Sequence, residues 1–312
     1  MEKRTYFLFS VYIIFLLSLC LIFNTTLYAQ DNNPNEKGLS VTKVELNTNV
    51  EKTEDKAKQE ENKKIVKEAL SAYEQTLKAV EHLDKGEKDK AIEALEKSVG
   101  KMDILIGRYP ELAYLPISID VQTFDVVNDL ETIKRQRDEV QFLVKQGYLQ
   151  AARRLLNYMA SEIRVTSVNL PMETYPTAIR GIARLIEEDK LDLAKKALQT
   201  TLSTLVSFER SIPIPVLNSQ ILIAEASKII NETTPDKLSK EKKDEALALL
   251  KRAHQELEIA EELGYGKRNW EFAEIHKDIR EIEDKVKKNK KSKGLLEDLK
   301  KRVEEFKNKI SE

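Results

Sequence analysis

The sequence predicts a mainly α protein, an irregular bundle of helical hairpins carrying a small two-stranded β ribbon. Three observations lead there. Apolar residues recur at helical spacing through most of residues 63–312. Nine Gly and eight Pro in 312 residues are too few for an all-β fold or a phosphate-cradling loop. Charged residues make up 34% against 41% hydrophobic, the mixture of amphipathic helices with a core on one face. That mixture is too apolar for a disordered chain and too polar for a polytopic membrane protein. With 52 Lys+Arg against 53 Asp+Glu the net charge is −1, which excludes a nucleic-acid partner held by net positive charge.

Lys3 and Arg4 precede an uncharged run from Tyr6 to Phe23, and Ala29 stands just before a polar stretch. This describes a secretory signal over residues 1–29. Cleavage after Ala29 is the favoured reading. An uncleaved N-terminal anchor is the alternative, because the 18-residue run can span a bilayer and Leu27, not a small residue, occupies the −3 position. Either way the remainder is expected in the periplasm, touching a membrane only through this segment if it is retained. Cys20 follows Leu19 inside the apolar run, a poor setting for lipid attachment. As the chain's one cysteine it leaves the mature part without a disulfide, a thiolate nucleophile or a Cys-ligated metal. Loss of Glu2, Lys3 and Arg4 takes the net charge to −2.

Residues 30–62 hold only isolated apolar side chains and read as a flexible leader. From there Ile65, Ala69, Tyr73, Leu77 and Val80 mark a first helix, and Ala91, Ile92, Leu95, Val99 and Met102 a second. The joint between them, Leu83-Asp-Lys-Gly-Glu-Lys-Asp-Lys-Ala91, has counterparts in Val144–Ala152 and Ile186–Ala194. Each has an apolar residue closing one helix, a polar turn, and a small Ala entering the next. The alanines lie 61 and then 42 residues apart, so a regular solenoid is not expected. Ile117, Ile119 and Val121 alternate with polar residues, and Ile163–Asn169 is β-branched, which gives the two-stranded ribbon. Ile212-Pro-Ile-Pro215 interrupts the chain before a helix from about Val216 to Ile230. Ala246, Leu249, Leu250, Ala253, Leu257, Ala260 and Leu263 form the next stripe. Gly264-Tyr-Gly266 then turns the chain into a helix bearing Phe272, Ile275, Ile279, Ile282 and Val286, and a last helix follows Gly294.

The segments that escape helical periodicity carry a resemblance. Leu115–Asp125, Ala160-Ser-Glu-Ile163, Leu170–Ile179, Ile212–Leu217 and Leu263-Gly-Tyr-Gly266, in that order, resemble the YfdX family of exported bacterial proteins, from about Lys63 to the C-terminus. The resemblance implies a mainly helical fold with a small β element, a periplasmic location, self-association, and a link to acid or drug stress. It brings no catalytic residues with it.

The residues themselves offer little chemistry. His254 stands one turn from Glu258 and two from Glu261, so a metal site can be drawn on one helix face. Among so many carboxylates such neighbours arise by chance, and His254 and His276 are read as stripe-edge histidines; neither metal nor cofactor is expected. Asp120 and Asp125, five apart, face opposite ways on a regular strand, and Asp125 before Val126 suits a helix N-cap. There is no Gly-x-Ser-x-Gly, no His-Glu-x-x-His, and Gly264-Tyr-Gly266 lacks the third glycine of a dinucleotide loop. The lysines at 285, 287, 288, 290, 291 and 293 could meet lipid headgroups or an acidic partner, although the acidic helices on either side favour a solvated junction. Aromatic residues of the Pro-rich loops could line a shallow binding site or simply pack in the core; Asp125, Tyr175 and Tyr265 are the binding candidates. The expected function is therefore that of an exported, non-enzymatic stress-response protein that binds or self-associates, its expected partners being further copies of itself, in a homo-oligomer, and another envelope protein. The alternative is a periplasmic small-molecule or metal carrier.

Overall fold

A computed structural model of the chain describes residues 40–126, 129–266 and 269–311. The expected signal, its Tyr6–Phe23 run and the start of the leader lie outside these residues. The described helices are α1 (Lys43–Asn62), α2 (Lys67–Asp84), α3 (Lys88–Arg108), α4 (Leu130–Lys145), α5 (Leu149–Leu156), α6 (Thr174–Glu187), α7 (Leu191–Leu202), α8 (Ile214–Asn231), α9 (Lys240–Glu262), α10 (Asn269–Lys287) and α11 (Lys293–Ser311). The strands are β1 (Tyr114–Phe124), β2 (Glu162–Pro171) and β3 (Val206–Pro213). The fold is mainly α, as the periodicity predicts.

Two expectations are corrected. The ribbon is a three-stranded antiparallel sheet in the order β1-β2-β3, with Phe124 opposite Glu162 and Glu162 opposite Pro213. Val206, Phe208, Arg210 and Ile212 alternate in β3, but the strand follows α7 so closely that the helix pattern masks the change of period. The leader is not flexible throughout: it is helical from Lys43. Thr42 and Glu45 form a reciprocal capping box, with Thr42 N donating to Glu45 Oε2 at 2.8 Å and Glu45 N donating to Thr42 Oγ1 at 3.2 Å. Of its few apolar residues Leu46, Val50 and Ala57 fall on one face and are buried, while Val44 is exposed.

Three helical hairpins follow the repeated turn. In each, the fourth residue of the quoted segment has positive φ: Gly86 at 74°, Gly147 at 78° and Asp189 at 60°. Each closes its helix with the same pair of backbone bonds, as when Gly86 N donates to Leu83 O and Glu87 N to His82 O. Ala91, Ala152 and Ala194, which enter the following helices, are all buried. Small side chains let α2 and α3 approach closely, Ala69, Ala72, Thr76 and Ala79 supplying the buried face of α2 and Ala91, Ala94 and Ser98 part of that of α3. The Thr76 and Ser98 hydroxyls satisfy each other at 3.0 Å inside that contact.

The core divides around the sheet. One cluster joins α2, α3, α6 and α7 to one end of the strands through Leu115, Ile117 and Leu170. A second fills the four-helix arrangement of α8–α11, with Val41 and Leu46 closing it. Between them Val121, Ile163 and Val165 of the sheet meet Val50 of α1 and Leu217 of α8. The α4–α5 hairpin has its own small core of Ile133, Val140, Ala152 and Met159, which packs on Ile259 and Leu263 of the α9 region.

The turn geometry carries a test. Gly86→Ala forces a Cβ into the left-handed region and is expected to cost about 1–2 kcal/mol. Gly100→Ala, inside α3 with nothing within 4 Å of its Cβ position, is expected to stabilise by about 0.5–1 kcal/mol. Urea unfolding of the two variants should separate them in opposite directions.

Candidate functional site

Of the three binding candidates, the fold brings two together. Asp125 stands just past β1, Tyr265 in the turn after α9, and both reach Ser161 at the entrance of β2. Ser161 Oγ donates to Asp125 Oδ1 at 2.7 Å, and the Ser161 backbone N–H donates to the Tyr265 hydroxyl at 2.9 Å. The Ser161 carbonyl accepts from Ile214 N at 2.9 Å, at the start of α8. Ser161 is 2% exposed, and every polar group it carries is engaged. Asp125 is not the helix N-cap that its neighbour Val126 suggests; Asp129 caps α4 instead, accepting from Thr132 N at 2.8 Å.

Tyr265 reaches Ser161 because Gly264 and Gly266 flank it with φ of 86° and 91°, a reversal that β-carbons would strain. Gly266 has a second reason: a Cβ there would lie 3.2 Å from the Phe306 ring. Tyr175 goes elsewhere. It lies in the first turn of α6, 1% exposed in the α2–α3–α6–α7 core, and its hydroxyl has no hydrogen-bond partner among the described residues. Burial raises its pKa to about 12. As a filler of the core it is not part of the site.

Sequence reasoning missed Glu256, the most perturbed group nearby. It extends from α9 and accepts from Asn218 Nδ2 of α8 at 3.3 Å. Loss of water around its carboxyl pushes its pKa up to about 7; the Asn218 contact, Arg252 and Lys43 pull the other way, while Asp125 adds to the rise. Asp125 keeps a face in solvent, yet the protein crowded around its carboxyl raises it too, against the opposing Ser161 bond and Lys43. Burial likewise raises the Tyr265 phenol, helped by the Glu162 carboxylate beside it. Glu162 is itself held by Arg164, whose guanidinium lies 4.5 Å above the Phe124 ring.

The histidines also pair, which the one-helix reading did not foresee. His254 and His276 lie eleven residues to either side of Tyr265, so antiparallel helices turning there bring them face to face. Their Nδ1 atoms are 3.1 Å apart and the ring centroids 4.2 Å, so one ring donates and the other accepts. Burial, then the charges of His254 and Arg280, hold the His276 pKa down at about 4. Glu258 lies 3.6 Å from His254 Nε2 and Glu261 3.9 Å from His276 Nε2, each at the end of its ring away from the paired nitrogens. Among the described residues, no group of three or more His, Cys, Asp or Glu side chains is placed to hold a metal ion.

The chemistry available here is proton binding and geometric locking. Ser161 is enclosed and fully bonded, with neither histidine among its partners to activate it, so the arrangement is not a nucleophile awaiting a substrate.

Residues 72–211 match the model of the YfdX protein family. The matched segment holds α2–α7, nearly all of the sheet, Asp125, Ser161 and Tyr175, and stops before Ile212-Pro-Ile-Pro215, Glu256 and Tyr265. No curated protein matches the chain. Among solved structures, YfdX of Salmonella Typhi aligns at 13% identity over 48% of this chain and 93% of its own, with a TM-score of 0.34.

Two outcomes are expected. Glu256 in the folded chain keeps a proton that the unfolded chain releases above about pH 4.5, so its contribution to stability falls as pH rises from about 4.5 to 7 and is level beyond. Thermal unfolding of Glu256→Gln should therefore match the parent near pH 4 and exceed it at pH 8, by about 2 kcal/mol. Removing the acceptor of a buried N–H, Tyr265→Phe should cost about 1–2 kcal/mol in denaturant unfolding, whereas Tyr175→Phe, which deletes an unpartnered hydroxyl, should cost nothing.

Proposed function

Taking residues 72–211 as a YfdX segment, we propose that this chain is an exported, non-enzymatic protein acting through association, first with copies of itself, in the envelope's response to acid or drug stress. One observation carries the association. The α4–α5 hairpin turns Phe142, Val144, Tyr148, Leu149, Leu156 and Tyr158 outward, each about half exposed or more, with Tyr158 at 75%. A contiguous hairpin with this many large apolar side chains in water is the usual mark of a protein contact. Arg153 and Arg154, exposed on the same short helix, add the polar border such contacts have.

The setting rests on the N-terminal apolar run and on the family. Among the described residues no helix is long and apolar enough to cross a membrane. The alternative, a small-molecule carrier, is favoured by an open groove of about 500 Å3 between α10 and α11, lined by the exposed Trp270 with Ile275 and Phe306. Much of its charge is spent internally, in Arg302–Glu274, Lys309–Glu271 and Lys301–Glu305 pairs, which leaves the self-association reading ahead.

Light scattering after size exclusion tests the proposal. The parent chain should elute as a defined oligomer, and Phe142→Ser with Leu156→Ser should weaken association at least about tenfold while leaving the helical circular dichroism intact. A monomeric parent at micromolar concentration would end the self-association reading, and a reproducible extra mass in native mass spectrometry would favour the carrier.

A further inference from the structure

The turn between α10 and α11 stands out by its charge. Several lysines of the C-terminal helices pair with carboxylates, Lys228, Lys242, Lys301 and Lys309 among them, while Lys240, Lys251 and Lys277 stand singly among the described residues. Lys285 and Lys287 are paired, 3.2 Å from Glu281 and 3.5 Å from Glu283. Lys288, Lys290, Lys291 and Lys293 are not: all four are exposed and make no ion pair among the described residues. The turn that presents them is fixed. Asn289 adopts φ of 54°, Lys290 N donates to Lys285 O at 2.8 Å, and Ser292 between the lysines is buried. Lys243, in the first turn of α9, reaches across to Lys287 O and Asn289 Oδ1, both at 2.9 Å. Four unpaired cations are thus held on one short loop at one end of the α8–α11 bundle. Asp284 of α10 and Glu297 of α11 are the acidic groups closest to the turn in sequence, and Glu297 pairs with Lys300 at 3.1 Å.

The chain enters the fold at this same end. Ser40 N donates to Glu245 Oε1 at 2.9 Å, two residues beyond Lys243 on α9. Sixteen residues separate Phe23, the end of the apolar run, from Ser40, a reach of at most about 55 Å. We propose that the Lys288–Lys293 turn is a docking surface for an anionic phospholipid bilayer, seating the folded body on the membrane that its N-terminal run enters. The inference rests on the export reading in its uncleaved-anchor form for the source of that membrane, but its chemistry does not: clustered free lysines on a rigid turn complement a layer of phosphate headgroups.

The test uses the full-length chain on vesicles of phosphatidylcholine alone and on vesicles with about a third phosphatidylglycerol, with lysine acetylation read by mass spectrometry. The apolar run binds both kinds, so only the difference counts. Acetylation at Lys288, Lys290, Lys291 and Lys293 should fall at least about threefold on the anionic vesicles and recover in about 0.5 M salt, with exposed Lys78 of α2 as an unchanged reference. The variant with all four lysines changed to Gln should lose its preference for anionic vesicles in flotation while keeping its helical spectrum. Equal acetylation on both vesicles, or a retained preference in the variant, overturns the proposal. So does protection without vesicles, whether it grows with protein concentration, which marks a second copy, or appears with millimolar inorganic phosphate, which marks a free anion. A cytosolic location found by cell fractionation would remove the export reading without touching the vesicle result.

Discussion

The most consequential interaction in the molecule is the set of bonds around Ser161. Its hydroxyl, amide and carbonyl tie the end of β1, the α9–α10 turn and the start of α8 to the entrance of β2. β2 pairs on both edges, and its side chains reach into the core clusters on either side of the sheet. A residue fixed in three directions at the mouth of the central strand sets the register of the sheet against the C-terminal bundle. The cost of doing this with crowded polar groups is visible nearby, in the raised pKa values of the Glu256 and Asp125 carboxyls.

Those groups give the chain two opposed responses to acid. Glu256 contributes more to stability as pH falls from about 7 to 4.5, because the folded form keeps its proton. His276 contributes less as pH falls from about 6.5 to 4, because the unfolded form gains a proton that the folded form refuses. Both stand on the same pair of helices, α9 and α10, around the Gly264-Tyr265-Gly266 turn. Between about pH 6.5 and 4.5 their effects partly cancel, and the bundle is buffered against a loss that the histidine alone would impose.

Much of this was legible in the sequence, and the exceptions have physical reasons. The helical stripes of α9 and α10 are buried as the spacing predicts, except for half-buried Leu263 just past α9, and the three similar turns share one left-handed position. β3 was hidden because a strand that begins four residues after a helix offers no run of its own period long enough to notice. α1 was hidden because it is stabilised by a cap and three buried side chains instead of a continuous stripe. Asp125 and Tyr265 stood out as polar and aromatic residues in irregular segments. Their meeting at Ser161, across 36 and 104 residues, is a property of the sheet and leaves no local trace. Tyr175 misled because Pro171 and Pro176 suggest a loop where α6 in fact begins; a proline in the first turn of a helix lacks only an N–H that has no intrahelical partner there. The histidine pair could have been found, from two rings equidistant from a glycine-flanked turn.

The pairing of Phe124 with Glu162 has an evolutionary consequence. The whole excursion from residue 125 to 161, with its outward apolar side chains, leaves and re-enters the sheet at adjacent points, and the Asp125–Ser161 bond closes its neck. Such a segment is a cassette. It can be lengthened, shortened or exchanged while the two strands beside it keep their alignment, so that the surface it displays can change independently of the scaffold that holds it.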